Sequence, residues 1–227
     1  MPAPKGEPIF IEEPQDNNLT KTAYVKLKNA ILLNHFKSGR WLSGSKLAKA
    51  FNMSRTPVRE ALNILEREGF VEIRNGLGVA VKEVTEKDIH ELIEVRLALE
   101  CSALESSGFS PDPGELEQLE KGWQVLQHKW RRDQLSDLEE VMTLDYATHD
   151  FLVASSRNGH LVDIIKNISA HIRRVQFLSV TALNEVDKTI QQHLDLLAAV
   201  KNHDIPNALI LLREHISEAG PYIFSKR

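Results

Sequence analysis

The spacing of apolar residues divides the chain into three rhythms. From Lys21 to Phe36, Tyr24, Leu27, Ile31 and Leu32 return at helical spacing. "KSGRWLS" interrupts them with Gly39. A shorter helix follows around Ser45 to Phe51, with Leu47, Ala48 and Phe51 to one side. After the tight connection "NMS", a third helix runs from about Ser54 to Glu68 on the stripe Val58, Ala61, Leu62 and Leu65. The period then drops to two. Val71 and Ile73 alternate with Glu72 and Arg74, "NGLG" turns the chain, and Val79 and Val81 alternate with Ala80 and Lys82. This is a hairpin with a glycine-rich tip. From Thr85 onward nothing alternates like a strand. Thr85 and Asp88 form a capping-box pattern, and further helical stretches cover roughly 112–132, 135–156, 159–178, 186–201 and 204–219.

Two short helices joined by a tight turn and followed by a hairpin describe a helix-turn-helix with a wing. The remainder describes an all-α antiparallel helical bundle. The expected fold is therefore mainly α, with a flexible N-terminal arm over 1–19, a winged helix-turn-helix over 20–84 and a helical domain over 85–227. The third helix opens with "SRTPVREAL". Either Ser54 or Thr56 can cap it, and Thr56 would put Pro57 at the first helical position. Arg55 and Arg59 lie one turn apart and share a face, so one guanidinium can read guanine O6 and N7 in a bidentate contact. Ser54 and Thr56, beside the free N–H groups of the helix start, suit phosphate oxygens. In the wing, Gly76 and Gly78 leave the backbone bare enough to approach a phosphate or the minor groove. A plain hairpin capping the core is the alternative.

Charge sharpens this division. The chain carries a net charge of −4, yet residues 20–85 sum to +7 and residues 86–227 to −8. A basic segment joined to an acidic one points to two units with different partners, the basic one's partner being a polyanion such as double-stranded DNA. Cys101 is the only cysteine, so no disulfide framework exists, and a reducing cytoplasm fits. No apolar run approaches membrane-spanning length, and the first residues lack the apolar core of a signal peptide. The reading is a cytoplasmic protein without a membrane partner.

Within the acidic segment, polar residues occupy inward stripes. Asp145 and His149 lie on Leu138–Met142–Asp145–His149–Leu152, His193 on Val186–Ile190–His193–Leu197–Val200, and His215 on Ala208–Leu212–His215–Ala219. Positions four apart share a helix face, so Asp145 and His149 can grip one ion. One carboxylate with three imidazoles suits a divalent metal: zinc first, with nickel, manganese and iron(II) as alternatives. Spacing alone leaves open that each histidine is merely satisfied within a core. His35, His90, His128 and His203 read as surface residues, while His160 and His171 fit either place. Arg96 falls on Ile89–Ile93–Arg96–Leu99–Ala103, where an unpaired charge is costly and an anion is needed. Two are on offer: Glu100, four residues on, or the carboxylate of a bound ligand, with Arg173 and Arg174 as possible assistants.

The segment "LSGSKLAKAFNMSRTPVREALNILEREGFVEIRNGLGVAV" resembles the winged helix-turn-helix of GntR-family bacterial transcription regulators. "SRTPVREAL", "LEREGFVE" and the glycine-tipped wing resemble the branch with a FadR-type, all-helical C-terminal domain (FCD). The resemblance runs on through "LIEVRLALE" and covers essentially everything after residue 20. It implies DNA contacts by Ser54, Arg55, Thr56, Arg59 and the wing glycine Gly76. Many members carry an arginine or a glutamate-arginine pair at the start of the second helix, where this chain has Gly44 and Ser45. Lys46 can substitute, although a lysine is no bidentate base reader, so operator preference can differ. The metal-binding, VanR-like six-helix subgroup carries an aspartate, a histidine four residues on and two histidines on the last two helices. That implies Asp145, His149, His193 and His215 as ligands, and Arg96 near the effector. The resemblance further implies a homodimeric regulator, most often a repressor, on a palindromic operator, tuned by a small organic acid. It implies no enzymatic activity. A metalloenzyme built on the same centre, and an architectural DNA binder with a purely structural metal, are the competing readings.

Overall fold

The computed structural model describes residues 19–218 except 75–76, 136–137 and 184–185, and these fall into two compact units that divide between Glu83 and Val84. The expected arm over 1–19 lies outside the described residues, apart from Leu19, which already begins the first helix. No helix among the described residues is long and apolar enough to cross a membrane.

The first unit contains α1 (Leu19–Leu32), β1 (Trp41–Leu42), α2 (Gly44–Ala50), α3 (Arg55–Arg67), β2 (Val71–Arg74) and β3 (Gly78–Val81). All four residues of the expected α3 stripe are buried, together with Ala23, Leu27 and Ile31 of α1. Tyr24 is not among the buried residues of α1: it accepts a hydrogen bond from Lys28 and donates one to Glu68 at the rim of this core. Two end motifs set the geometry of the helix-turn-helix. After α2, Asn52 takes the left-handed conformation (φ 54°), its N–H bonds Lys49 and the Met53 N–H bonds Ala48. After α3, Gly69 (φ 79°) repeats the pattern, with bonds from Gly69 to Glu66 and from Phe70 to Leu65. Each closes the free carbonyls of its helix and reverses the chain within three residues.

The sheet has the order β1-β3-β2, all antiparallel, with Val71 opposite Val81 and Arg74 opposite Gly78 in the wing. The third strand, β1, was not expected: Trp41 pairs with Ala80 and Leu42 with Val79. Ala80, on the sheet face it shares with Trp41 and Glu72, is buried, while Val79 on the other face is only half-buried.

The second unit is a helical bundle of α4 (Glu86–Leu104), α5 (Pro113–Arg131), α6 (Leu138–Ser155), α7 (Gly159–Leu183), α8 (Val186–Lys201) and α9 (Ile205–Glu218). The Thr85 hydroxyl accepts from Asp88 N–H while the Asp88 carboxylate accepts from the Thr85 N–H, which completes the expected capping box. Asp112 caps α5, with Pro113 in its first turn. Trp123, Leu152, Ile190, Leu197 and Leu212 fill the centre, and the polar residues of the next section are set among them.

Candidate metal centre and nucleic-acid interface

Asp145, His149, His193 and His215 converge from α6, α8 and α9, and one ligand atom from each lies within 4.8 Å of all the others. The first three are buried and His215 is nearly so. Local helical spacing explains the approach of Asp145 and His149, and the burial of Ile190, Leu197 and Leu212 turns His193 and His215 toward them.

What fixes the chemistry is the other nitrogen of each ring. The Nδ1 of His193 lies 2.7 Å from the Thr189 carbonyl, that of His149 2.6 Å from Oε2 of Glu100, and that of His215 3.0 Å from the amide oxygen of Gln192. A carbonyl and an ionised carboxylate only accept, so each Nδ1 carries a proton, and in the neutral ring it is Nε2 that offers a lone pair to the centre. Gln192 is oriented by its own amide, which donates to Glu218 at 2.7 Å. Gln176 donates to Oδ2 of Asp145 and leaves Oδ1 for the centre. Oδ1 lies 3.0 Å from Nε2 of His193, 3.5 Å from that of His215 and 3.9 Å from that of His149. The buried Nε2 atoms of His149 and His193 have no hydrogen-bond partner. With the rings neutral, a cation bound between these four atoms would take up all four lone pairs at once. The donor set, one carboxylate oxygen and three imidazoles with their far nitrogens held, therefore fits a divalent metal.

Electrostatics agree with that fit. Burial drives His215 down to about 4, assisted by the neighbouring His193, so its ring is neutral at ordinary pH. Burial alone would raise Asp145, but the surrounding imidazoles of His193 and His215 outweigh it and hold the carboxyl well below its usual range. Glu100 is likewise desolvated, yet Arg96 and His149 hold it down at about 2. Trp123 stacks on His193 with ring centres 4.1 Å apart, and its Nε1 donates to Thr148 at 2.9 Å, which locks the wall of the site.

Of the two partners open to Arg96, the fold supplies Glu100: Arg96 Nε donates to its Oε1 at 2.7 Å. Nη2 of Arg96 remains buried and without a partner. Arg173 lies over the Tyr146 ring at 3.5 Å, and burial pulls Arg174 down to about 10. A cavity of about 20 Å³, bordered by Glu100, Tyr146, His149, Ser169, Ile172 and Gln176, adjoins the centre. It has room for about one water molecule. Sequence reasoning missed Thr189, Gln176 and Gln192, and saw Glu100 only as a partner for Arg96. His35, His90, His128, His160 and His203 are exposed, and His171 is half-buried.

In the first unit Ser54, Arg55, Thr56 and Arg59 all face solvent at the start of α3, while Pro57 and Val58 turn inward. Ser54 occupies the N-cap position, but its hydroxyl caps nothing. Pro57 is thus the third helical residue rather than the first, still among those whose N–H is not needed. Arg55 and Arg59 make no hydrogen bond or ion pair among the described residues. Lys46 is exposed on α2, whose start is capped by Ser43. In the wing, Arg74 is paired with Glu72 at 3.0 Å, and Leu77 is exposed at the tip. Gly76 lies outside the described residues.

Comparison with known proteins agrees with both units. The family model of bacterial regulatory proteins, gntR family, matches residues 19–81, and that of the FCD domain matches residues 91–218. The chain belongs to the GntR family of DNA-binding bacterial transcription regulators, in the branch whose second unit is an FCD domain. It is 29% identical over 181 residues to the uncharacterized HTH-type transcriptional regulator YdhC of Bacillus subtilis, covering 78% of this chain and 79% of that one. It is 27% identical over 180 residues to the HTH-type transcriptional repressor RspR of Escherichia coli, covering 79% and 78%. A GntR transcriptional regulator from Rhodococcus sp. RHA1 has the same fold, with a TM-score of 0.75 at 22% identity over 92% of this chain and 98% of that one.

Proposed function

We propose that this regulator is a cytoplasmic, homodimeric repressor whose grip on a palindromic operator is set by a small carboxylate bound at a divalent metal in the helical unit. The observation that carries this reading is the convergence of three imidazole nitrogens and one carboxylate oxygen within 4.8 Å, in a chain whose other unit opens a helix with arginines that have no partner among the described residues. Asp145, His149, His193 and His215 hold the metal. Zinc suits them best, since nitrogen-rich buried donor sets favour it, and nickel, manganese or iron are the alternatives. When bound, the ion supplies a Lewis-acidic seat for a carboxylate oxygen. Arg96 faces the other carboxylate oxygen through Nη2, while its Nε stays on Glu100. The cavity beside His149 is about 20 Å³, so a ligand larger than water enters only by displacing side chains such as Tyr146 and Ile172.

On the DNA side, Arg55 and Arg59 read base edges, Ser54 and Thr56 bind phosphate, and Lys46 and the wing glycine Gly76 add backbone contacts. A dimer presents two recognition helices to successive major grooves, which is why the operator is palindromic. Repression is supported by the likeness to a protein named as a repressor. The acid regulates only through unequal affinity for the DNA-competent and DNA-incompetent arrangements.

The test is a titration of operator DNA with metal-loaded protein across a library of small carboxylates, followed by fluorescence anisotropy. One acid should shift the operator Kd at least fivefold and be recovered unconsumed. A flat response across the library, with metal still raising thermal stability, would leave a purely structural ion; consumption of the acid would mark an enzyme.

A further inference from the structure

The three histidines of the cluster are supported unequally. His193 leans on a carbonyl four residues earlier in its own helix, and His215 on a side-chain amide of α8. His149 alone rests on a charged group, and that group comes from α4, 49 residues away in sequence. Glu100 divides its two oxygens: Oε2 takes the His149 ring at 2.6 Å and Oε1 takes Arg96 at 2.7 Å. The side chains of Arg96 and Glu100 are 4% and 1% exposed. A buried ion pair is weak as a source of stability, because well-packed apolar residues of similar size generally serve as well or better. Stability alone therefore does not account for this pair, and the second Glu100 oxygen, on His149, supplies another role.

We propose that Glu100 is a positioning residue of the metal centre: its carboxylate holds His149 in the tautomer and orientation that aim Nε2 at the shared point, and Arg96 is the counter-ion that lets the carboxylate sit in the core. This rests on the metal-centre reading above. It also gives Arg96 a task that does not depend on any effector. A carboxylate behind an imidazole makes the ring a stronger metal donor than an amide or carbonyl does, so His149 is the ligand whose loss of support weakens metal binding.

Two paired variants test it without leaving a lone buried charge. Arg96→Met with Glu100→Leu removes both groups; Arg96→Met with Glu100→Gln keeps an acceptor opposite His149. The readouts are zinc affinity by competition with a chelator and the visible absorption of the cobalt(II)-substituted chain, with far-UV circular dichroism as the check on folding. The Met/Leu pair should fold, lose roughly ten- to a hundredfold in zinc affinity and change its cobalt spectrum. The Met/Gln pair should recover most of the affinity and the parent spectrum. A Met/Leu variant with parental affinity and spectrum, or a Met/Gln variant as weak as Met/Leu, overturns the assignment while the centre itself stands. A parent chain that binds neither metal overturns the centre and this inference with it.

Discussion

At the start of α3, Arg55 and Arg59 stand in solvent, with no hydrogen bond or ion pair among the described residues. In the helical unit Arg96 is 3% exposed and fastened to Glu100. Water solvates the first pair at little cost, so they can wait for a polyanion that arrives from outside. No water reaches the second, so its partner must be built in, and that partner in turn acts on His149. The same side chain thus serves intermolecular recognition in one unit and internal alignment in the other, and burial decides which.

The widest separation of the two comes from removing the ligands. Replacing His193 and His215 together by alanine should abolish bound metal, read by elemental analysis of the purified protein, while the first unit keeps its salt-sensitive affinity for duplex DNA. A full metal complement in that variant would show that the four converging atoms are not the binding set. Arg59→Ala is the reciprocal change. It should cost about 1–3 kcal/mol of discrimination, or roughly five- to 150-fold between operator and scrambled duplex, with metal content unchanged. Selectivity retained by this variant would remove Arg59 from base reading.

These two experiments touch residues that were visible in the sequence, and the reason is geometric. Arg55 and Arg59 share a face because a helix repeats every 3.6 residues, and Val58, Ala61, Leu62 and Leu65 declare which face is the other one. Each histidine of the converging cluster sits on a stripe that names its inward direction. Periodicity says nothing, however, about which stripes meet at the same height. That convergence depended on the family resemblance, and the structure now gives it distances. The groups behind the ligands were out of reach altogether: Glu100 meets His149 across 49 residues and Gln176 meets Asp145 across 31. No local pattern encodes a pairing between helices. β1 escaped for another reason. Two residues cannot show an alternation, and Trp41 is 48% exposed, so only its pairing with Ala80 makes it a strand.

Acid should affect the two regions differently. In the metal-free chain His215 is held at about 4 against an ordinary value of 6.5, so between those values the unfolded chain binds more protons than the folded one. Stability of the helical unit then rises with pH across that window and is lost as pH falls through it. Glu100, at about 2 instead of 4.5, adds a loss of the same sign at lower pH. Metal binding steepens the first loss, because the ligands must be proton-free. The measurement is urea unfolding of chelator-treated protein from pH 7 to pH 4.5, followed by tryptophan fluorescence, to which Trp123 and Trp130 contribute from the helical unit. A midpoint that stays flat over that range would mean that burial does not hold His215 neutral.

The smallest effect belongs to the turn that aims α3. Asn52 is exposed and left-handed at φ 54°, and the bonds from its own N–H and that of Met53 close α2. Asparagine tolerates this conformation through its short polar side chain, alanine pays a steric cost of about 1 kcal/mol, and glycine pays none. Asn52→Ala should therefore lower the stability of the first unit by about that amount, with Asn52→Gly close to the parent, both read from the unfolding midpoint by circular dichroism. Because Asn52 contributes a backbone conformation and no buried surface, equal losses in both variants would mean that its side chain, and not its φ, fixes the turn. Either result leaves the metal content alone. A change in metal content from a substitution in this turn would mean that the helical unit does not hold its ion by its own residues alone.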